Sequence, residues 1–459
     1  MKNRIFASLI FAISSLGLAA EPIAKNVVLI ISDDLKADVL SIHGNKVCNT
    51  PNIDKLAAEG VVFSRAYCQG TVCGPSRTSF MRSRYLDKKG ITLGENLIAN
   101  GFYSARVGKI FHMRVPGDII AGTNGADIEA CWTERFNAPG REAHTPGNYA
   151  LLNKNIFTTD LEGRESTKMP HRMFVSVSYE GDGSDQPDPK AAEMTIELLR
   201  QRKEDPNTPF FIATGFVRPH YPSVAPEQYF EPYPHGEINI PHVPEGDLED
   251  MPKAAITQSR SELNGIDQFP ENQQRMWAAY YATVQFMDEQ VGKVIDELDR
   301  LGLRESTSII FTSDHGYHLG EHTFWQKANL HERVINVPLV ISAPGMKPGN
   351  SDSIVELVDL FPTVCELTGV PVPDSAEGKS LVPLLKDPAA TTNQRAHSFT
   401  RNGESIRTPG FAFMHYKDGT EELYDMKSDP DQFTNLASDS KIGAKLVEWR
   451  KSLKMEKNR

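Results

Sequence analysis

The chain has 459 residues, enough for a large hydrophobic core and about two or three domains. Its 49 basic and 60 acidic residues give a formal charge of −11, which argues against a nucleic-acid-binding protein. That charge also gives no long-range attraction for an anionic substrate, so any positive field must be local.

The segment Met1 to Ala20 sets Lys2 and Arg4 before a short apolar run that ends in small residues at Gly17 and Ala19. The run is too short to span a membrane comfortably and reads as a secretory signal, with a mature chain beginning near Ala20 or Glu21. A secreted or periplasmic protein is the expectation. No later stretch is long and apolar enough for a transmembrane helix.

Asn26 to Ile31 is a continuous apolar, β-branched run, the pattern of a strand buried on both faces of a parallel sheet. It ends in Ser32-Asp33-Asp34. Ligands of open α/β sheets gather beyond the carboxyl ends of strands, where these carboxylates would lie, although an aspartate there also serves as a turn or helix cap. Thr50 to Glu59 predicts a short helix with Pro51 at its start and Gly60 past its end.

Val61 to Tyr67 leads to Cys73-Gly74-Pro75-Ser76-Arg77, a loop that turns into a helix. Pro75 is expected at the first helical position, which sets Cys73 at a helix N-terminus. Unpaired N–H groups and the helix dipole there favour a thiolate, an oxyanion or a bound anion.

Glu95 to Asn100 predicts a brief helix, and Phe102 to Val107 a strand that delivers Lys109 and His112. Residues 113–187 are rich in Gly, Pro, Asn and Asp and read as loop-heavy insertions. Pro189 to Glu204 predicts a surface helix, and Pro209 to Thr214 a buried strand that leads to His220. Residues 222–270 read as irregular. In 271–301, Trp277, Tyr280, Val284, Met287, Val291 and Leu298 recur at helical spacing, as a core-facing stripe does.

Ser306 to Thr312 predicts a strand ending in Asp314-His315, and the loop beyond it carries Lys327. Val337 to Ser342 is a further strand, and Val355 to Leu367 a helix closed by Gly369. Alternating strands and helices mean an α/β protein. Pro371 to Ser375 marks a boundary, giving a signal over 1–20, a catalytic domain over 21–375 and a subdomain over 376–459. In that tail, strand-like runs at 410–416 and 422–424 around a turn predict a small antiparallel sheet, followed by a helix from Lys441.

Several strand ends thus carry chemistry. Asp33, Asp34 and Asp314 make a hard-oxygen set suited to Ca²⁺ or Mg²⁺, and Lys109, Lys327, His112 and His220 could balance an anionic ester and protonate a leaving alkoxide.

Cys73 to Arg77 resembles the Cys-x-Pro-Ser-Arg signature of the type I sulfatases. Further runs resemble that family's iduronate-2-sulfatase-like branch: Ile31 to Leu35, Thr50 to Asp54, Gly108 to His112, Arg218 to Pro222, Ser313 to Gly316, Gly320 to Lys327, Val358 to Pro362, and Glu422 to Asp425 with Asp429-Pro430. The resemblance covers nearly the whole mature chain. It implies an alkaline-phosphatase-like α/β sandwich with a central mixed, mostly parallel sheet and a small C-terminal antiparallel subdomain. The implied activity is hydrolysis of sulfate esters on a sulfated glycan by a formylglycine that a maturase makes from Cys73.

The resemblance also implies that Asp33, Asp34, Asp314 and His315 hold Ca²⁺, before Mg²⁺, together with the modified Cys73. Asp314 would also polarise the attacking hydroxyl. Arg77, Lys109 and His112 would orient the nucleophile, while Lys327 and His220 would bind the sulfate and His220 would protonate the leaving group. Many sulfatases have Asn at the position of His315. An imidazole is not the expected hard ligand for Ca²⁺.

Two departures stand out. Met81-Arg82-Ser83 replaces the usual Leu-Thr-Gly that assists the maturase, and the stretch Arg84 to Glu95 is short where relatives carry a pocket-shaping loop. With Cys73 consumed by modification, Cys48, Cys68, Cys131 and Cys365 are left to pair or stay free. Two other functions suit the same residues. One is a phosphonate or phosphate monoester hydrolase of the same superfamily. The other is an inactive glycan-binding relative, against which the intact metal and cationic set counts.

Overall fold

The computed structural model describes residues 22–85, 89–392 and 394–456, and the expected signal segment lies outside the described residues. Strand β1 (Asn26–Asp33) is buried along its whole length. Its side chains alternate between two cores: Val27, Leu29 and Ile31 enter one, Val28 and Ile30 the other. That alternation makes β1 the spine of a sheet covered on both faces.

Next come α1 (Pro51–Ala58), β2 (Val61–Tyr67), α2 (Cys73–Arg82), α3 (Leu93–Ala99) and β3 (Tyr103–Gly108). Cys73 is itself the first helical residue and Pro75 the third, two positions later than expected. Proline is tolerated there because the first N–H groups of a helix have no intrahelical partner. Helix α3 also starts early, because Thr92 and Glu95 form a capping box.

The stretch expected to be irregular carries α4 (Gly117–Ala121), β4 (Glu134–Phe136), β5 (Asn148–Leu151), β6 (Ile156–Thr158) and β7 (Val175–Tyr179). These strands have three to five residues, too few for a twofold period to register. After α5 (Pro187–Glu204) and β8 (Phe210–Pro219), β9 (Ser223–Pro226) joins β5, β6 and β7 in a second, four-stranded sheet.

Helices α6 (Ser261–Asn264) and α7 (Pro270–Arg300) precede β10 (Thr307–Ser313), β11 (His318–Leu319), β12 (Trp325–Gln326), α8 (Glu332–Ile335), β13 (Asn336–Val337) and β14 (Leu339–Ser342). The single helix expected over Val355 to Leu367 is instead β15 (Gly349–Glu356), a 3₁₀ turn and α9 (Leu360–Thr368). Ile354 and Val355 pair with Arg65 and Ala66 of β2, so strand pairing claims the β-branched residues. Glu356 and Asp359 then cap the turn that begins the helix.

The large sheet runs β13-β2-β14-β10-β1-β8-β3-β4, with β15 also on β2. Strands β10, β1, β8, β3 and β4 are mutually parallel, and β14 is antiparallel to β10 and β2. This is the mixed, mostly parallel sheet expected. Helices α1, α5 and α7 cover one face. Helices α2, α3 and α9, with α10 (Val382–Lys386), cover the other.

The tail forms a four-stranded antiparallel sheet of β16 (Ala396–Phe399), β17 (Gly403–Arg407), β18 (Phe411–Tyr416) and β19 (Glu421–Asp425), followed by α11 (Gly443–Glu456). Two of those strands were not expected. Phe399 N–H donates to Gln69 O (2.7 Å) and Ser398 Oγ to Cys68 O (2.5 Å), so this sheet docks just ahead of the Cys73 turn. All five cysteines are buried and unpaired.

Candidate active site

Strands β10, β1, β8 and β3 are neighbours in that order, so their carboxyl ends lie side by side. They deliver Asp314 and His315, Asp33 and Asp34, His220, and Lys109. Close packing of β3 on β8 depends on glycine: a Cβ on Gly108 would lie 2.2 Å from Gly215 O, and one on Gly215 would lie 2.0 Å from Lys109 O. The first turn of α2 then sets Cys73 over the strand ends.

Around the Cys73 Sγ lie Lys327 Nζ at 3.2 Å, His315 Nε2 at 3.3 Å, Asp33 Oδ1 at 3.4 Å, Lys109 Nζ at 3.9 Å and Asp34 Oδ1 at 4.0 Å. One ligand atom each of Asp33, Asp34, Cys73 and His315 all lie within 4.8 Å of one another, and all four residues are buried. Asp314 stands one step back. Its Oδ2 accepts Arg77 Nε–H at 2.7 Å, and its Oδ1 accepts the backbone N–H of Asp34 and of His315 at 3.2 and 3.0 Å.

Arg77 is wholly buried. It also reaches Asp33 Oδ1 at 3.2 Å and donates to the carbonyls of Lys109 and Ile110, locking α2 to β1, β10 and the end of β3. Lys109 pairs with Asp33 and Lys327 with Asp34. Asp34 Oδ2 is a buried carboxylate oxygen with no hydrogen-bond partner, 3.7 Å from His220 Nε2. His112 stands beside Gly74, with a buried, unpartnered Nδ1.

The sulfatase family profile matches residues 25–370 of this chain. The chain belongs to the sulfatase family. It hydrolyses sulfate esters, and a second profile, the C-terminal region of N-sulphoglucosamine sulphohydrolase, matches residues 320–459. A sulfatase from Formosa agariphila is 29% identical over 462 residues, covering 92% of this chain and 84% of its own length. Iduronate 2-sulfatase of Mus musculus is 31% identical over 407 residues, covering 76% and 70%.

Among solved structures, a complex with its substrate D-glucosamine-2-N,6-O-disulfate matches with a TM-score of 0.73 at 20% identity, covering 95% of this chain and 98% of its own. The phosphonate monoester hydrolase of Agrobacterium radiobacter matches with a TM-score of 0.75 at 23% identity, covering 94% and 95%. These likenesses concern the fold, which is the alkaline-phosphatase-like sandwich expected from sequence. Among the described residues of this sulfatase, no helix is long and apolar enough to cross a membrane.

Burial and neighbouring charge set the protonation states. Burial opposes ionisation of Asp33, but Lys109, His220, Arg77 and Lys327 outweigh it and hold its carboxyl well below the usual range. For Asp34 burial prevails over Lys327 and His315, and its carboxyl is raised. Burial and the adjacent Asp33 push the Cys73 thiol up, so the helix N-terminus does not make it the thiolate that its position suggested. Burial, then Lys327, holds His220 well below the ordinary imidazole value. Burial, then Lys109, brings His112 down to about 4.

Some supporting groups carried no signal in the sequence. Tyr280 donates its hydroxyl to Asp34 O at 2.6 Å from within the stripe read as core. Asp188 accepts the N–H groups of Val217 and Arg218 at 2.7 and 3.0 Å, and Glu142 pairs with Arg218; Glu142 comes from the stretch read as loops.

Proposed function

We propose that this enzyme is a secreted or periplasmic sulfatase that removes sulfate from a sulfated glycan, using a formylglycine made from Cys73 by a maturase and a bound Ca²⁺. The observation that carries the reading is the buried Cys73 Sγ, ringed by Lys327, His315 and Asp33 at 3.2–3.4 Å. In the matured residue an aldehyde or diol oxygen would replace that sulfur.

The donor set suits a cation. Asp34 Oδ2 lacks any partner, and a buried unpaired carboxylate oxygen is costly unless something positive meets it. Asp33, Asp34 and His315, with Asp314 behind them and the oxygen of residue 73, would hold Ca²⁺ in preference to Mg²⁺, because oxygen-rich sites of adaptable geometry suit the larger ion. When bound, Ca²⁺ would neutralise charge on the sulfate oxygens, and the formylglycine would supply the attacking hydroxyl.

The remaining roles fall to the chain's own side chains. Arg77 and Lys109 fix the nucleophile's carboxylate partners, and His112 borders it from Gly74. Lys327 places a positive charge where the sulfate sits. His220 holds its Nε2 toward the same space and gives the departing sugar oxygen its proton.

Peptide mass spectrometry of enzyme from its native host tests the reading, together with sulfate release from a panel of sulfated oligosaccharides. An aldehyde at position 73 and sulfate release are expected. A fully active preparation with unmodified Cys73 would overturn the mechanism. Faster turnover of matched phosphonate or phosphate esters would move the enzyme to the monoester-hydrolase class.

A further inference from the structure

A cavity of about 680 Å³ opens between the N-terminus of α2 and the turn joining β16 to β17. Gly74, His112 and Asn329 wall it on the catalytic side, and Phe399, Arg401 and Asn402 on the other. Its volume suits one or two sugar rings.

Its charge is one-sided. Arg84 and Arg401 line it, and among the described residues no aspartate or glutamate does, in a chain with 60 acidic residues. Arg84 is tied to Ser375 O at 2.9 Å and to Glu377 at 3.4 Å. Arg401 is exposed and makes no ion pair among the described residues.

Asn329 is a second, independent observation. It is 4% exposed, and its Oδ1 is engaged by His331 N–H and His318 Nε2, each at 3.2 Å. Its Nδ2 is buried without a partner, so a wall residue keeps an unused donor. Lys109, Lys327 and Arg77 are all committed to carboxylates at the catalytic centre. The cations and donors of this cavity are therefore separate from those that hold the cleaved sulfate.

We propose that Arg401 and Asn329 form a subsite for a second anionic group, a carboxylate or another sulfate, carried near the sulfate ester that is cleaved. The substrate class is then a glycan with at least two anions within one or two rings. This rests on the sulfatase reading above and narrows it. A guanidinium and an amide donor recognise carboxylate and sulfate oxygens alike.

The test uses matured full-length enzyme and glycosaminoglycan-type oligosaccharides in matched sets, each sugar with one sulfate alone, with a second sulfate, or with a uronic carboxylate. The wild type is expected to favour members with the extra anion, and the preferred arm tells sulfate from carboxylate. Arg401→Ala should lower the ratio of kcat/KM between doubly and singly charged members about tenfold, mainly through KM, with Arg401→Lys intermediate. An unchanged ratio would overturn the proposal.

Binding of a disulfated heparin disaccharide to Cys73→Ala protein, with and without Arg401→Ala, gives a readout independent of turnover. The affinity should fall about tenfold, and equal affinities would overturn the subsite. Wild-type enzyme that releases sulfate from no member would instead count against the glycan-sulfatase reading.

Discussion

Glu142 Oε2 meets Arg218 Nη2 at 3.1 Å with both side chains buried, and Arg218 in turn donates to the carbonyl of His220 at 3.3 Å. A charge pair two residues from the imidazole therefore holds the turn that carries it. Removing one partner of a buried pair leaves the other uncompensated, which typically costs about 3–5 kcal/mol. Glu142→Gln should lower the melting temperature and reduce turnover of a sulfated sugar more than of an aryl sulfate. A variant that loses stability but treats both substrates alike would show that the pair serves folding only.

His220 should itself depend on the leaving group. Its Nδ1 lies 2.6 Å from Tyr221 O, and a carbonyl only accepts, so Nδ1 carries a proton and Nε2 faces Asp34. Giving a proton from Nε2 requires the charged imidazole, which a bound anionic sulfate favours. A sugar alkoxide needs that proton and a nitrophenolate does not. General-acid help is worth ~10²–10⁴-fold, so His220→Ala should lose about that on a sulfated sugar and far less on nitrophenyl sulfate. Equal losses would leave His220 a sulfate-binding group.

Metal content should follow the Asp33, Asp34 and His315 cluster. Asp34→Ala and Asp33→Ala should each lose the cation, measured by elemental analysis, together with activity. Chelation should abolish turnover, and added Ca²⁺ should restore it better than Mg²⁺. Stoichiometric metal and near-wild-type rate in either variant would refute the assignment.

Asp288 on α7 caps α1 from across the core, accepting Asn52 N–H at 3.1 Å and Ile53 N–H at 2.8 Å. Losing such a cap costs roughly 0.5–2 kcal/mol, so Asp288→Ala should lower thermal stability by about that. Burial, against the pull of those N–H donors, raises its folded pKa to about 6. The unfolded value is about 3.9, so the folded state binds this proton more tightly. Its contribution is fullest below about pH 4 and is lost as pH rises through 6. The stability gap between wild type and Asp288→Ala should therefore narrow over that window, and a gap that widens would contradict the raised pKa.

The chain order by itself determined the class of protein and pointed to most residues of the candidate site. Strand β1 with its two aspartates, the Cys73 turn, and the Lys109, His220 and Asp314 strand ends are each legible within a few consecutive residues. Local pattern suffices because a buried strand must be apolar and the residues just beyond its end must turn.

Only the tertiary structure decided which residues support these groups. Tyr280 reaches Asp34 across 246 residues of chain, and Glu142 reaches Arg218 across 76. Neither bears a local mark, because such pairs are chosen by packing between distant elements. Ser83 is a smaller case. It adopts the left-handed conformation, φ 52°, in place of the family's glycine, and its hydroxyl donates to Val358 O at 2.7 Å and accepts Gly378 N–H at 2.9 Å. A one-dimensional comparison sees an unfavourable substitution there. The fold supplies two hydrogen-bond partners that offset the backbone cost, because they come from residues brought in only when the sheet and α9 have packed.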